Sequence, residues 1–227
     1  MANSVVTLEK KDDKDKFIKE LSKTIQATFE ERLIWAMINR HLAGVDEEQK
    51  KEVFALAQDK AAAHENDMLS KVHYNRRLAL IQEELDDYFS QNASLNLVGL
   101  IRFRLRAYKK QLKDIVAEAW HEYNIRAEYD EFIDMLSFFV SVQSTKENTV
   151  IIVKKKNELR ILNRMKRDIT KQYRDENIMY EDGMTEEDII LSELIYIAPK
   201  KIIIQDNKDA LPLYETITKV FDKVVFV

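Results

Sequence analysis

The chain has no cysteine, and only three glycines and two prolines among its 227 residues. Without cysteine there are no disulfides, no thiolate zinc sites, no iron–sulfur clusters and no cysteine nucleophile. A reducing cytoplasm suits such a chain. Three isolated glycines cannot build a GxxxxGK[ST] or GxGxxG loop, so the common phosphate-cradling nucleotide sites are excluded. No GxSxG elbow is present either. Sandwiches and barrels need many tight turns, and so few Gly and Pro argue against both. Long apolar runs are also missing. Leu136–Val142, "LSFFVSV", is far short of the roughly 20 residues a membrane span needs. The N-terminus, "MANSVVTLEKKDDKDKF", lacks the apolar core of a secretory signal. The expectation is a cytoplasmic protein with no membrane span.

Apolar residues make up 45% of the chain, enough for a real core. After a polar tail over residues 1–14, Phe17, Leu21, Ile25, Phe29, Leu33 and Ala36 recur at helical spacing. A second helix follows Asp46 as N-cap, and a third carries Leu78, Ile81, Leu85, Tyr88 and Phe89. The next, capped by Asn92 or Ser94, is predicted from Leu95 to about Tyr123. A further helix has apolar residues at Phe132, Leu136, Phe139 and Val140.

Beyond "QSTKEN" the pattern changes. "TVIIVKK" and "NELRILN" read as a hairpin turning near Lys156-Asn157. "RMKRDITKQYRDENI" reads as helix. A turn at Asp182-Gly183 precedes a helix with Thr185 as N-cap, Asp188 completing a capping box and Pro199 ending it. "KKIIIQD" has the continuous apolar run of a strand buried on both faces. Pro212 opens another helix and "KVVFV" closes the chain as a strand, giving a parallel βαβ unit. The fold class is α+β and mostly helical. A multi-helix domain over residues 15–144 precedes a small α/β domain over 145–227, whose mixed sheet has about four strands.

Charge is segregated along the chain: residues 1–96 carry a net −4, residues 97–174 a net +7 and residues 175–227 a net −7. Between Asn96 and Val116 six cations face one anion, Asp114. At 100° per residue Ile101, Leu105, Tyr108, Leu112, Ile115 and Ala119 share one helix face, and Arg102, Arg106, Lys109 and Lys113 form an adjacent stripe without an acidic residue. Arg164, Arg167, Lys171 and Arg174 repeat the arrangement on the later helix. Such a stripe suits an anionic partner, whether nucleic acid, an acidic protein or a lipid surface. It equally suits pairing with the chain's own acidic C-terminal third, or plain solvation. Tyr108 belongs to the apolar face, so no base-stacking platform accompanies the cations.

Other chemistry is sparse. Glu118 and His121 form one ExxH, an element that di-iron bundles use twice. Glu83–Asp87, "EELDD", reads as a solvated acidic face, and Lys200 and Lys201 suit a helix C-terminus. No catalytic residue, metal site or cofactor is expected.

The second half resembles a known family. "LIRFRLRAYKKQLKDIV", "EYDEFIDMLSFFVSVQ" and "EDIILSELIYIAPKKIIIQD" are similar to segments of the YtxC-like family, which is named for sporulation; the resemblance covers about residues 95–227. It implies a cytosolic protein of an endospore-forming bacterium, with no known activity, cofactor or functional residue to carry over. The expectation is a non-enzymatic binding or scaffold protein. Its candidate contacts are Arg102, Arg106, Lys109, Lys113, Arg164, Arg167 and Lys171. The alternatives are an enzyme or binder acting on a phosphorylated or otherwise anionic small molecule, and a homo-oligomer joined through segments of opposite charge.

Overall fold

The structure, a computed structural model, describes residues 5–9, 13–155, 158–170, 172–173, 184–205 and 212–227. It divides into two compact units, Met1–Arg126 and Ala127–Val227. The class is α+β: helices come first, and a small mixed sheet follows. Among the described residues no helix is long and apolar enough to cross a membrane.

In the first unit, α1 (Lys14–His41), α2 (Glu47–Ala61) and α3 (Met68–Gln91) are each opened by an aspartate. Asp13, Asp46 and Asp67 accept hydrogen bonds from the backbone N–H groups of the first turn, satisfying donors with no helical partner. A two-stranded sheet joins β1 (Val5–Thr7) to β2 (Ser94–Asn96), and the apolar pattern gave no sign of this pairing. Ser94 therefore lies in a strand and Asn92 closes α3. The cap of the next helical segment is Asn96, whose side-chain oxygen accepts from the Gly99 N–H at 2.9 Å.

The predicted helix from Leu95 to about Tyr123 is corrected here. A single turn, α4 (Leu97–Gly99), leads into a π turn over Leu100–Arg104. The Leu105 N–H bonds Leu100 O at 3.2 Å, the i to i−5 contact that defines the π turn, and Leu105 leaves helical geometry at ψ 51°. From there α5 runs unbroken over Arg106–Val142, where two helices were expected.

The core of this unit gathers Ile25, Ile34, Ile38, Val53, Ile81, Leu85, Leu105, Leu112 and Ala119. A polar cluster is buried within it. Glu30 of α1 accepts from Tyr108 Oη of α5 at 2.7 Å and from Gln26 Nε2 at 3.2 Å. Arg77 of α3 reaches both Glu30 oxygens at 3.3 Å and also donates to the Ala61 carbonyl. Burial pushes the Tyr108 hydroxyl well above the ordinary range, and the Glu30 carboxylate beside it adds to the shift. The unfolded chain releases this proton near the ordinary value of about 10, while the folded chain retains it. The stability it confers is full below that pH and declines as pH rises beyond it. Urea midpoints measured on either side of that value should therefore fall more steeply for the native chain than for Tyr108→Phe. Equal slopes would show that Tyr108 does not couple folding to alkaline pH.

In the second unit the sheet order is β4-β3-β5-β6. β3 (Thr149–Lys155) and β4 (Glu158–Asn163) form the antiparallel hairpin, whose turn at Lys156-Asn157 lies outside the described residues. β5 (Lys201–Gln205) pairs parallel with β3 and with β6 (Val224–Phe226). One sheet face, with Val150, Ile152, Ile161, Ile202 and Ile204, is buried in a cluster with α6 (Glu186–Ile197), α7 (Pro212–Val220) and Ile133 and Leu136 of α5. The opposite face holds a smaller cluster of Ile151, Val153 and Leu162 with half-buried Ile203, so β5 is covered more fully on one side.

The capping box of Thr185 and Asp188 forms as expected. Its hydrogen bond to Thr185 holds the Asp188 carboxyl below the usual range. Pro212 sits in the first turn of α7. The Asp182-Gly183 turn lies outside the described residues.

The helix expected across "RMKRDITKQYR" is not there in its described part. Asn163 Oδ1 accepts from the N–H groups of Met165 and Arg167 at 3.0 Å, and Lys166 turns into the left-handed region at φ 61°. Ile169 N–H then bonds Ile161 O at 2.9 Å, which folds the chain back along β4. A short polar side chain offering a local alternative to helical hydrogen bonds produces this outcome.

Candidate functional site

α1 and α5 border a cleft of about 410 Å³ within the first unit. α1 contributes Leu33, Ala36, Met37, Arg40 and His41; α5 contributes Arg106, Lys109, Lys110 and Lys113. Both sets follow i, i+3, i+4, i+7 spacing, which brings residues onto one helix face. The lining thus joins an apolar strip on α1 to five Lys and Arg side chains and one histidine. Among the described residues no carboxylate lines it.

The ion pairs of this unit engage other cations: Lys14 with Asp86, Lys60 with Glu122, Arg77 with Glu30, and Arg104 with Glu84 and Asp87. Among the described residues none engages Arg40, Arg106, Lys109, Lys110 or Lys113. Backbone carbonyls position two of the five. Lys109 Nζ donates to Arg102 O at 2.8 Å and Arg106 Nε to Phe103 O at 3.3 Å, so the π turn orients the first cations of α5.

Local electrostatics make this placement costly. The N-terminus of a helix carries a partial positive charge and favours acidic residues. The first turn of α5 has none, and cations gather there instead. In α1 the order is the favourable one, with Arg40 and His41 in the last turn.

A second cavity of about 490 Å³ lies between α2, α3 and α5. Its cations Lys60, Arg76, Arg77 and Lys110 share the lining with Asp114 and Glu118, so its charge is mixed. Lys110 lines both cavities.

The sequence-derived site residues separate in the fold. Arg106, Lys109 and Lys113 line the α1–α5 cleft. Arg102 does not; it is exposed on the π turn, with its guanidinium 5.4 Å from the centre of the Phe103 ring. Arg164 and Arg167 are exposed in the turn after β4 rather than on a helix. Lys171 lies outside the described residues. Arg40, His41 and Lys110 join the cleft without having been singled out; the signal for the first two was their helical spacing from Leu33 and Met37. The acidic run Glu83–Asp87 is occupied structurally, with Glu84 and Asp87 paired to Arg104 and Asp86 to Lys14.

The sequence pattern of the YtxC-like family matches residues 16–225, well beyond the part where the resemblance was first evident. The chain is 24% identical over 200 residues to a protein of Bacillus subtilis (strain 168) described as "Uncharacterized protein YtxC". That alignment covers 86% of this chain and 70% of the Bacillus protein. No solved structure gives a significant match.

Proposed function

The chain belongs to the YtxC-like family, and from that premise we propose that it is a non-enzymatic cytoplasmic protein of the sporulation programme that binds a small phosphorylated anion in the α1–α5 cleft. The observation that carries this reading is the cleft lining: among the described residues it has five cations, none of them in an ion pair, and no carboxylate. Its volume of about 410 Å³ falls within the range of small-molecule sites. Among the described residues no Phe, Tyr or Trp lines it, which removes the usual stacking platform for single-stranded nucleic acid. The apolar strip of Leu33, Ala36 and Met37 would hold the uncharged part of the ligand. Among the described residues no carboxylate stands beside His41 in the cleft to orient it as a general base, which favours binding over catalysis. The sporulation setting rests on the association that the family resemblance implies.

Titration of the full chain with inorganic pyrophosphate, a short single-stranded RNA and anionic phospholipid vesicles tests the reading. Pyrophosphate should bind at low ionic strength and weaken as salt is added. Neither RNA nor vesicles should bind more tightly than pyrophosphate. A chain that binds none of the three at low salt does not have this function.

A further inference from the structure

The cavity of about 490 Å³ between α2, α3 and α5 is lined by charges that the fold does not use. Arg77 lines it from a buried position, 1% exposed, with Nε and Nη2 taken by Glu30 and the Ala61 carbonyl. Among the described residues Nη1 makes no hydrogen bond, and it is not sealed off either, so it opens on the cavity. A guanidinium edge held in the core without a partner is costly, and an oxyanion is the group that satisfies it best. Arg76 of α3 and Lys110, Asp114 and Glu118 of α5 line the same space. Among the described residues none of these four is in an ion pair, whereas Lys60 is paired with Glu122. The free Lys, Arg, Asp and Glu of this lining therefore sum to zero, while those of the α1–α5 cleft are all cations.

We propose that this cavity binds a small zwitterion, its anionic group on Arg77 and Arg76 and its cationic group on Asp114 and Glu118. Charge decides between ligand classes. A simple anion would be drawn by the cations but repelled by two free carboxylates in the same space. A simple cation would leave the buried Arg77 edge unmatched. Lys110, Asp114 and Glu118 follow one another at steps of four residues on α5. Basic and acidic groups are thereby offset by about 6 to 12 Å along the helix. Half-buried Leu80 and Ile115 also line the cavity and suit a short aliphatic stem between the two charges. An ω-amino acid has this make-up. The proposal does not rest on the anion-binding cleft, although Lys110 borders both spaces.

Calorimetric titration of the full chain with 6-aminohexanoate, hexanoate and hexylamine at low ionic strength is the test. The zwitterion should bind at least ~10-fold more tightly than either analogue with a single charge. Asp114→Asn combined with Glu118→Gln should weaken 6-aminohexanoate by a similar factor, and so should Arg76→Gln. All three side chains are exposed, so circular dichroism of the variants should stay native. The comparison of the three ligands uses the native chain and decides the matter even if a variant misfolds. The Asp114 and Glu118 double variant should bind pyrophosphate no less tightly than the native chain, because neither residue lines the α1–α5 cleft. Loss of this site is thus distinguishable from loss of that one. A native chain that does not bind 6-aminohexanoate overturns the proposal. So does hexanoate binding equally well, which would leave the carboxylates idle, or hexylamine binding equally well, which would leave Arg76 and Arg77 idle.

Discussion

Glu30→Ala should cost about 3–5 kcal/mol of stability, the range for breaking a buried ion pair from one side. The Arg77 side chain is 2% exposed, and this change would leave its charge without a counter-ion in the core. The same substitution takes the acceptor away from Tyr108 and from Gln26 Nε2. Replacing both charged partners, as in Glu30→Leu with Arg77→Met, should cost far less, because neither charge then has to be desolvated. Urea unfolding followed by circular dichroism gives both values. If the single substitution is as mild as the double, the pair is hydrated in solution and does not hold α1 to α3. The buried Oε1 of Gln26 has no partner among the described residues, so the cluster already carries one unmet acceptor.

The second large effect belongs to the proposed cleft. Arg106→Glu combined with Lys109→Glu should reduce affinity for pyrophosphate at least ~100-fold. Hydrogen bonds to charged groups contribute about 1.5–3 kcal/mol each, and each 1.4 kcal/mol is a factor of ten. Lys51→Glu is the control for net charge. It sits on α2 outside the cleft, paired with Glu48 at 2.7 Å, and changes the charge as much as Lys109→Glu does. The control should lose less than the single Lys109→Glu substitution. Equal losses would mean that the ligand senses overall charge and has no seat between α1 and α5.

How much of this was readable in advance depends on where hydrogen bonds compete. The mixed sheet and the hairpin follow from β-branched runs with clear edges, as in "TVIIVKK" and "KKIIIQD". Tyr108 was placed on the buried face by periodicity and is 1% exposed. Arg164 and Arg167 were misplaced because Met, Lys and Arg favour helix in general, while the decisive residue was Asn163. Asx turns of this kind are local and leave no trace in hydropathy. Leu105 hid the end of the π turn in the same way: it is buried on schedule, but its backbone is not helical. Phe132, Leu136 and Phe139 share helical apolar spacing, yet of the three only Leu136 is buried. Periodicity finds an apolar face without saying whether its own chain covers it.

α5 supplies Leu112, Val116 and Ala119 to one core and Ile133 and Leu136 to the other. The border between the two units falls inside it, between Arg126 and Ala127, where the backbone is helical throughout. Shuffling of domains by recombination works where a loose connection can be severed and rejoined. Here a cut at the border would divide a helix and leave each core with only part of it. Neither half is easily inherited or lent alone, and the family pattern, which runs through both, is the trace that joint descent would leave.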